Sequence, residues 1–543
     1  MEGEKIKLTN ILSDKENRIR LVAICIMFFY FLILGKIIII YTEYETSKAV
    51  TPNFVLNSTN SKKFNIVDVN GNLLATSINT YNFYIVPAKT VFAEEIVQKI
   101  SRLFPEITEG ANILEQLKSK QNKMILIKKE ITEEQKQAII SSGVESAEFE
   151  KSFARVYPYG NIFSHIVGFV NFNLEGVSGI ERSLNNELYY QDVETTLDAR
   201  IQSIMHAKLS DAFEEYKMKS AFGIVASIKN AEIISVVSLP DFNPKKVIDS
   251  NGANMQNSVI ASSYNLGSVF KILTIAMGVE NGVKEDDLFK VDISIPVDKN
   301  FILKDEHVKK PFLMPSEILA FSSNVGSVLI LEKVGLSTQR KFFEEIGLFA
   351  PPKIELSPYE IATPIFKSGI WAKSMHYTAT YGYGVALSPL HFVQIARTII
   401  GDGKKRNLTL LKQRKDVEEN EVENTIISEK TTKVMQKMLK DVIKNGTAKL
   451  ANVNGYEICG KTSTSLKFDN KLKRWTNAKK MVSFFAFFPC SKPKYIIYIG
   501  FDEPQETKED RVLQGGRSVA PITASIITEI APLLNIKPDT FAD

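Results

Sequence analysis

Three short polar clusters interrupt apolar stretches in the second half of the chain, and their residue types fit acyl transfer. Ser268 and Lys271, in Gly267-Ser268-Val269-Phe270-Lys271, stand at i and i+3. On a helix they share one face of the first turn, where the amine can take the hydroxyl proton. Burial lowers a lysine pKa, so a neutral Lys271 would serve as base for a serine that has no other. The helix N-terminus adds N–H groups aimed at a developing oxyanion. Taken alone, S-x-x-K is not distinctive: a second one, Ser491 to Lys494, sits between two expected strands. Ser322-Ser323-Asn324 follows 54 residues after Ser268, flanked by Ile318-Leu319-Ala320-Phe321 and Val325-Gly326-Ser327-Val328-Leu329. It reads either as three polar groups set into a buried helical layer or as an exposed helix–helix turn. Lys461-Thr462-Ser463-Thr464 comes 139 residues after Ser322, ahead of a strand, and by itself could be a solvated strand end.

The elements around these clusters imply a scaffold. Ile272 to Met277 is apolar nearly all round, which predicts a helix in the middle of a domain. Thr196 to Gln202 opens an amphipathic helix with Asp198 as N-cap. Ala221 to Ser227 and Glu232 to Leu239 predict a hairpin, Met481 to Phe488 and Lys494 to Phe501 two further strands, and Ile522 to Leu534 a closing helix. A sheet built from both ends of a domain, with helices inserted between, is an α+β design. Earlier in the chain, Ile66 to Ala75 carries strand, Asn70-Gly71 turn and strand, a strong hairpin pattern. Mixed β and α patterns continue to about Tyr190, with Arg155 to Gly179 read as packed loop.

The 543 residues allow two to four domains, and a net charge of +5 argues against a nucleic-acid partner held through phosphates. Three cysteines and five scattered histidines give neither a disulfide framework nor a zinc pattern, so no metal and no cofactor is expected. Leu21 to Tyr41 is apolar except for Lys36, 21 residues or about 30 Å of helix. Basic residues precede it (Lys5, Lys7, Lys15, Arg18, Arg20) and only Lys48 closely follows, which predicts a cytoplasmic N-terminus and an exported remainder. The expected division is a tail 1–18, a transmembrane anchor 19–41, a β-rich pedestal 42–190 that includes the linker Thr51 to Ser61, and a catalytic domain 191–543.

Order, spacing and context of the three clusters resemble the serine penicillin-recognising acyl transferases. Further stretches are similar to class B penicillin-binding proteins: Asp68-x-Asn70-Gly71-x-Leu73-Leu74-Ala75, Arg155-Val156-Tyr157-Pro158-Tyr159-Gly160, Gly179-Ile180-Glu181, Val237 to Phe242, Tyr381-Gly382-Tyr383-Gly384, Asn445-Gly446-Thr447-Ala448 and Phe501-Asp502-Glu503-Pro504. The Ser322-Ser323-Asn324 form resembles the septal, cell-division branch. The resemblance implies a penicillin-binding transpeptidase domain on an irregular β-rich, dimerisation-type pedestal, and a D,D-transpeptidase that cross-links peptidoglycan stem peptides. Ser268 would be the nucleophile, Lys271 its base, Ser322 a proton relay to the leaving amine, and Asn324 would orient Lys271 and the substrate amide. Lys461 would bring charge to the cleft, Thr462 and Thr464 would bind the terminal carboxylate, and the N–H groups of Ser268 and Thr464 would form the oxyanion hole. β-Lactams would acylate Ser268. Implied partners are the lipid-linked precursor, a multispanning glycan polymerase and other division proteins at the inner membrane, with no nucleic acid.

Two departures from the family stand out. Ser463, counted with Thr462 and Thr464 among the substrate-binding residues, occupies the third position of the Lys-Thr-Gly triad, where its hydroxymethyl group is expected to narrow the cleft, so that Ser463→Gly would speed acylation. Lys62-Lys63-Phe64-Asn65 replaces the Arg-Gly pair usual before the first hairpin. Other expectations concern the basic loop Lys467, Lys471, Lys473, Arg474, Lys479 and Lys480, a solvated face or a surface for an anionic precursor, and Cys459 and Cys490, neighbouring free thiols rather than a bridge. Alternatives left open are a non-catalytic scaffold or β-lactam sensor, a D,D-carboxypeptidase and a β-lactamase.

Overall fold

A computed structural model of the chain describes residues 23–24, 26–36 and 62–538, apart from 121, 186–190, 248–251, 300, 306–309, 413–423, 454, 470, 472, 509 and 511. The expected tail 1–18 and the linker Thr51 to Ser61 lie outside the described residues. Of the expected anchor 19–41, residues 23–24 and 26–36 are described; they are helical, with Phe28, Phe29 and Phe31 exposed. Among the described residues no helix is long and apolar enough to cross a membrane.

The described residues from 62 onward form one compact unit. Its first sheet contains β1 (Ile66–Val67), β2 (Leu73–Ile85), β3 (Ile125–Ile131), β4 (Ala147–Val156) and β5 (Val193–Glu194), in the order β3-β2-β1-β5 with β4 also on β2. The Asn-Gly hairpin forms as expected: Gly71 takes φ +82°, and Asp68 accepts the N–H groups of Asn70 and Asn72 at 2.8 Å. Asp68 also accepts the Ala199 N–H at 3.0 Å, which joins the hairpin to the C-terminal half. Where the family's Arg-Gly pair is missing, Lys63 pairs with the fully buried Glu181 at 3.1 Å beside Arg155, whose Nε donates to the same carboxylate at 2.6 Å.

These 130 or so residues do not share one core. Phe83, Ile85, Ile96, Ile100, Ile113, Leu117 and Ile139, from β2, α1 (Ala93–Leu103), α2 (Gly110–Ser119) and α3 (Glu133–Ser141), make a separate small cluster. Ile66, Leu74, Phe163 and Ile180 instead belong to the main core, shared with the C-terminal half.

That half opens with α4 (Ala199–Glu215), capped by Asp198 as expected, followed by β6 (Ser220–Ser227) and β7 (Ile233–Leu239). Next come the buried α5 (Lys271–Glu280), the pair α6 (Pro315–Ala320) and α7 (Asn324–Val334), α8 (Pro389–Ile400) and α9 (Glu429–Asn445). The strands β8 (Cys459–Asp469), β9 (Arg474–Phe488) and β10 (Tyr495–Asp502) and the helix α10 (Ala520–Leu533) close the chain. The sheet is antiparallel throughout, in the order β8-β9-β10-β6-β7, so strands from both ends of the domain meet at the β10–β6 pair. Helix α4 packs on β6 and β7 with α10 against it, α8 and α9 also pack on the sheet, and α5 lies against α8 and α9. Every residue of α8 is buried, which explains its apolar sequence. Strand β8 is left at the sheet edge.

The expectation of free thiols gives way here. Cys459 and Cys490 form a disulfide with Cα atoms 5.2 Å apart. The ladder places Cys459 opposite Phe487, and the Cys490 N–H donates to Glu457 O at 2.8 Å, folding the turn after β9 back onto the start of β8.

Candidate active site

The chain reaches Ser268 through Gly267, at φ +59°, and a single 3-10 turn that leads into α5. Ser268 is half-buried and reachable, whereas Lys271, one turn on, is fully buried. A buried amine needs acceptors, and Lys271 has three: its Nζ lies 2.8 Å from Ser268 Oγ, 3.3 Å from Ser322 Oγ and 2.7 Å from Asn324 Oδ1. Burial, joined by repulsion from Lys461, pushes the Lys271 amine well below the ordinary lysine range, while the carboxylate of Asp305 acts the other way. A lysine so placed gives up its proton more readily than an exposed one, and the neutral amine can accept a proton from Ser268.

The Ser322-Ser323-Asn324 segment is indeed a turn between two helices, α6 and α7, yet it is not a solvated one. Ser322 takes φ +60°, a left-handed conformation unusual for serine, which aims its hydroxyl at Lys271. Ser323 is fully buried and caps α7 by accepting the Gly326 N–H at 2.7 Å. Asp305 holds this turn in place. Its carboxylate accepts the Ser323 hydroxyl, the Asn324 N–H at 2.9 Å and the Val325 N–H at 3.3 Å. Sequence reasoning missed Asp305; it lies in a charged stretch, Lys304-Asp305-Glu306, with no local pattern to separate it from surface charge.

The opposite wall is β8. Lys461 is fully buried rather than a solvated strand end, its amine lies 3.1 Å from the Thr462 carbonyl, and burial lowers it to about 7. Thr462 shares a 2.6 Å hydroxyl contact with Thr447 of the Asn445-Gly446-Thr447-Ala448 stretch. Thr464 is exposed, and its hydroxyl accepts the Gly515 N–H at 3.2 Å. The Leu466 N–H turns outward to the Tyr383 hydroxyl; by the alternation of an antiparallel ladder, Thr464, two residues back, also directs its N–H to the open edge. Ser463 corrects an expectation. It is 2% exposed and its hydroxyl donates to Leu266 O at 2.6 Å, so it fills the seam between β8 and the approach to Ser268 instead of narrowing the cleft. The basic loop is partly neutralised within the fold: Lys467 pairs with Asp502 and Glu503, and Lys479 with Asp469. Among the described residues no cluster could hold a metal ion.

Comparisons with known proteins agree with this geometry. The family model of the penicillin-binding protein transpeptidase domain matches residues 221–528, and that of the penicillin-binding protein dimerisation domain matches residues 59–193. The probable peptidoglycan D,D-transpeptidase FtsI of Caulobacter vibrioides is 29% identical over 88% of this chain and 82% of its own length. The peptidoglycan D,D-transpeptidase FtsI of Buchnera aphidicola is 25% identical over 89% of this chain and 88% of its own. The crystal structure of a peptidoglycan synthetase from Bifidobacterium adolescentis shares the fold, with a TM-score of 0.68 at 18% identity over 89% of this chain and 97% of that one. A reachable serine held by a buried lysine, the Ser322–Asn324 turn and an edge strand, in a matched transpeptidase domain that follows a matched dimerisation domain, place this chain in the penicillin-binding protein family, with the domain pairing of its class B.

Proposed function

We propose that the chain is a peptidoglycan D,D-transpeptidase acting at the division septum, with a pedestal over residues 42–190 and a transpeptidase domain over 191–543. The observation that carries this reading is the Lys271 amine, buried and bonded at once to Ser268, Ser322 and Asn324. Ser268 Oγ attacks the carbonyl between the two terminal D-alanines while its proton passes to Lys271. The Ser268 and Thr464 N–H groups receive the oxyanion, and Thr462, Thr464 and the charge of Lys461 hold the terminal carboxylate. The C–N bond breaks as Lys271, through Ser322, returns the proton to the leaving amine, and terminal D-alanine departs. The amine of a neighbouring stem then attacks the acyl-enzyme, loses a proton to Lys271 and restores Ser268. A β-lactam would follow the first half of this path and stop. The septal assignment rests on the Ser322-Ser323-Asn324 form and on the names of the relatives. Glycan polymerisation is left to a multispanning partner in the division complex. The apolar stretch 19–41 would anchor the chain in the inner membrane, with the catalytic half in the periplasm.

Two measurements test this. Penicillin should leave an adduct on Ser268 detectable by peptide mass spectrometry, and the chain should exchange the terminal D-alanine of a pentapeptide for an added D-amino acid. An adduct elsewhere removes the site. An adduct without exchange leaves a scaffold or sensor, a reading that Ser463, bonded to Leu266 O away from the cleft, does not support.

A further inference from the structure

The open edge of β8 leads out of the cleft to a second feature. The Leu466 N–H is taken by the Tyr383 hydroxyl at 3.0 Å, so a peptide lying along this edge finds its run of free main-chain partners closed there. Beyond that point stand three rings in edge-on contact. Tyr383 meets Trp475 with centroids 5.4 Å apart at 79°, and Trp475 meets Phe468 at 5.8 Å and 76°. Phe468 and Trp475 face each other across the β8–β9 ladder, and both are 45% exposed. At 45% exposure Phe468 and Trp475 each keep ring surface open to solvent. Lys471, Lys473 and Arg474 are exposed at the adjoining turn and form no ion pair among the described residues, in contrast to Lys467 and Lys479.

Strand direction decides what arrives there. With the donor's carboxylate at Thr462 and Thr464 and its reacting carbonyl at Ser268, the rest of the donor runs along β8 toward Phe468. From Thr464 to Phe468 the strand covers roughly 13 Å at about 3.3 Å per residue. An extended stem of about four residues, the separation between the reacting carbonyl and its sugar, spans a similar length. We propose that Phe468 and Trp475, backed by Tyr383, form a platform for the amino-sugar rings of the glycan that carries the donor stem. The C–H face of a pyranose is weakly positive and packs on the negative face of an indole or phenyl ring. The exposed cations Lys471, Lys473 and Arg474 beside the rings complement the carboxylates of the stem. This proposal deepens the transpeptidase reading and rests on it for the direction of the donor.

The chain contains two tryptophans, and Trp371 is 6% exposed with its indole N–H bonded to Lys367 O. A fluorescence response to an added ligand therefore reports on Trp475, with Trp475→Phe as the control for origin. The full-length Ser268→Ala chain in detergent is titrated with a disaccharide-pentapeptide, with the same pentapeptide lacking sugar, and with anionic phospholipid vesicles. The expected result is a saturable change with the disaccharide-pentapeptide at about tenfold lower concentration than with the bare peptide. Phe468→Ala, checked for a cooperative melt, should abolish that difference. Equal response to both peptides, or response to vesicles alone, overturns the platform. The two readings separate cleanly: exchange on bare pentapeptide without sugar preference sinks the platform only, and sugar preference without exchange in the unmutated chain sinks the transpeptidase only.

Discussion

The two walls of the cleft each bury a lysine completely, and they hold it differently. On the helical wall Lys271 has three side-chain oxygens, one from its own first turn and two from a single segment 51 to 53 residues further on. On the strand wall Lys461 has one main-chain carbonyl, that of the next residue. Burial lowers both amines, but only the first is bonded to side-chain hydroxyls. In the proposed mechanism the same residue type is a base in one setting and a source of field in the other, and the number and kind of its acceptors make the difference.

Lys271→Met gives the largest expected effect, a fall of about 10³-fold in acylation of Ser268 by a penicillin, followed as adduct formation over time. Lys461→Met should cost less, about 10-fold, since it removes field and not a proton path. Equal losses would erase the distinction between the walls.

The strand wall is stapled and the helical wall is not. Replacing Cys459 and Cys490 by serine should lower unfolding stability by about 3 kcal/mol, read from denaturant melts. Thiol counting under denaturing conditions without reductant should find one free cysteine, Cys25, of the three in the chain. Three free thiols would show the strand wall to be unstapled.

The pH dependence of acylation sharpens the comparison, because the two walls act on Lys271 with opposite sign. Lys271 works as a base when neutral, so its activity is lost as pH falls through its pKa. Asp305 raises that pKa and Lys461 lowers it. Asp305→Asn should therefore move the acid limb of the acylation rate to lower pH, and Lys461→Met should move it to higher pH. Shifts in the same direction would mean that structural damage, not charge, dominates.

Ser463→Gly should have the smallest effect. It leaves Leu266 O without its donor, so acylation should be unchanged or a few-fold slower. A clear acceleration would restore the steric reading.

Much of this site was legible in the sequence because its residues sit in local patterns. Ser268 and Lys271 share a helical turn, Lys461 to Thr464 lies on one strand, and the Asn70-Gly71 hairpin and the Asp198 cap are set by neighbours within four residues. Ser463 was misjudged because a sequence shows that a side chain is present but not which side of the seam it takes; the pairing of β8 with the approach to Ser268 turns it to Leu266. The cysteine pair depended on the return of the turn after β9, and Asp305 on a contact made 19 residues away with Asn324.

The sequence by itself determined the chemical types, their order and the secondary structure that carries them, since these depend on periodicity, caps and turns. Tertiary structure alone decided the rest. It brought the Ser322–Asn324 turn onto the Lys271 amine, drew Asp305 onto that turn and left β8 on the sheet edge with aromatic rings at its far end. The physical reason is that burial and charge act through space, and a residue's neighbours in space are fixed only when the chain has closed its core.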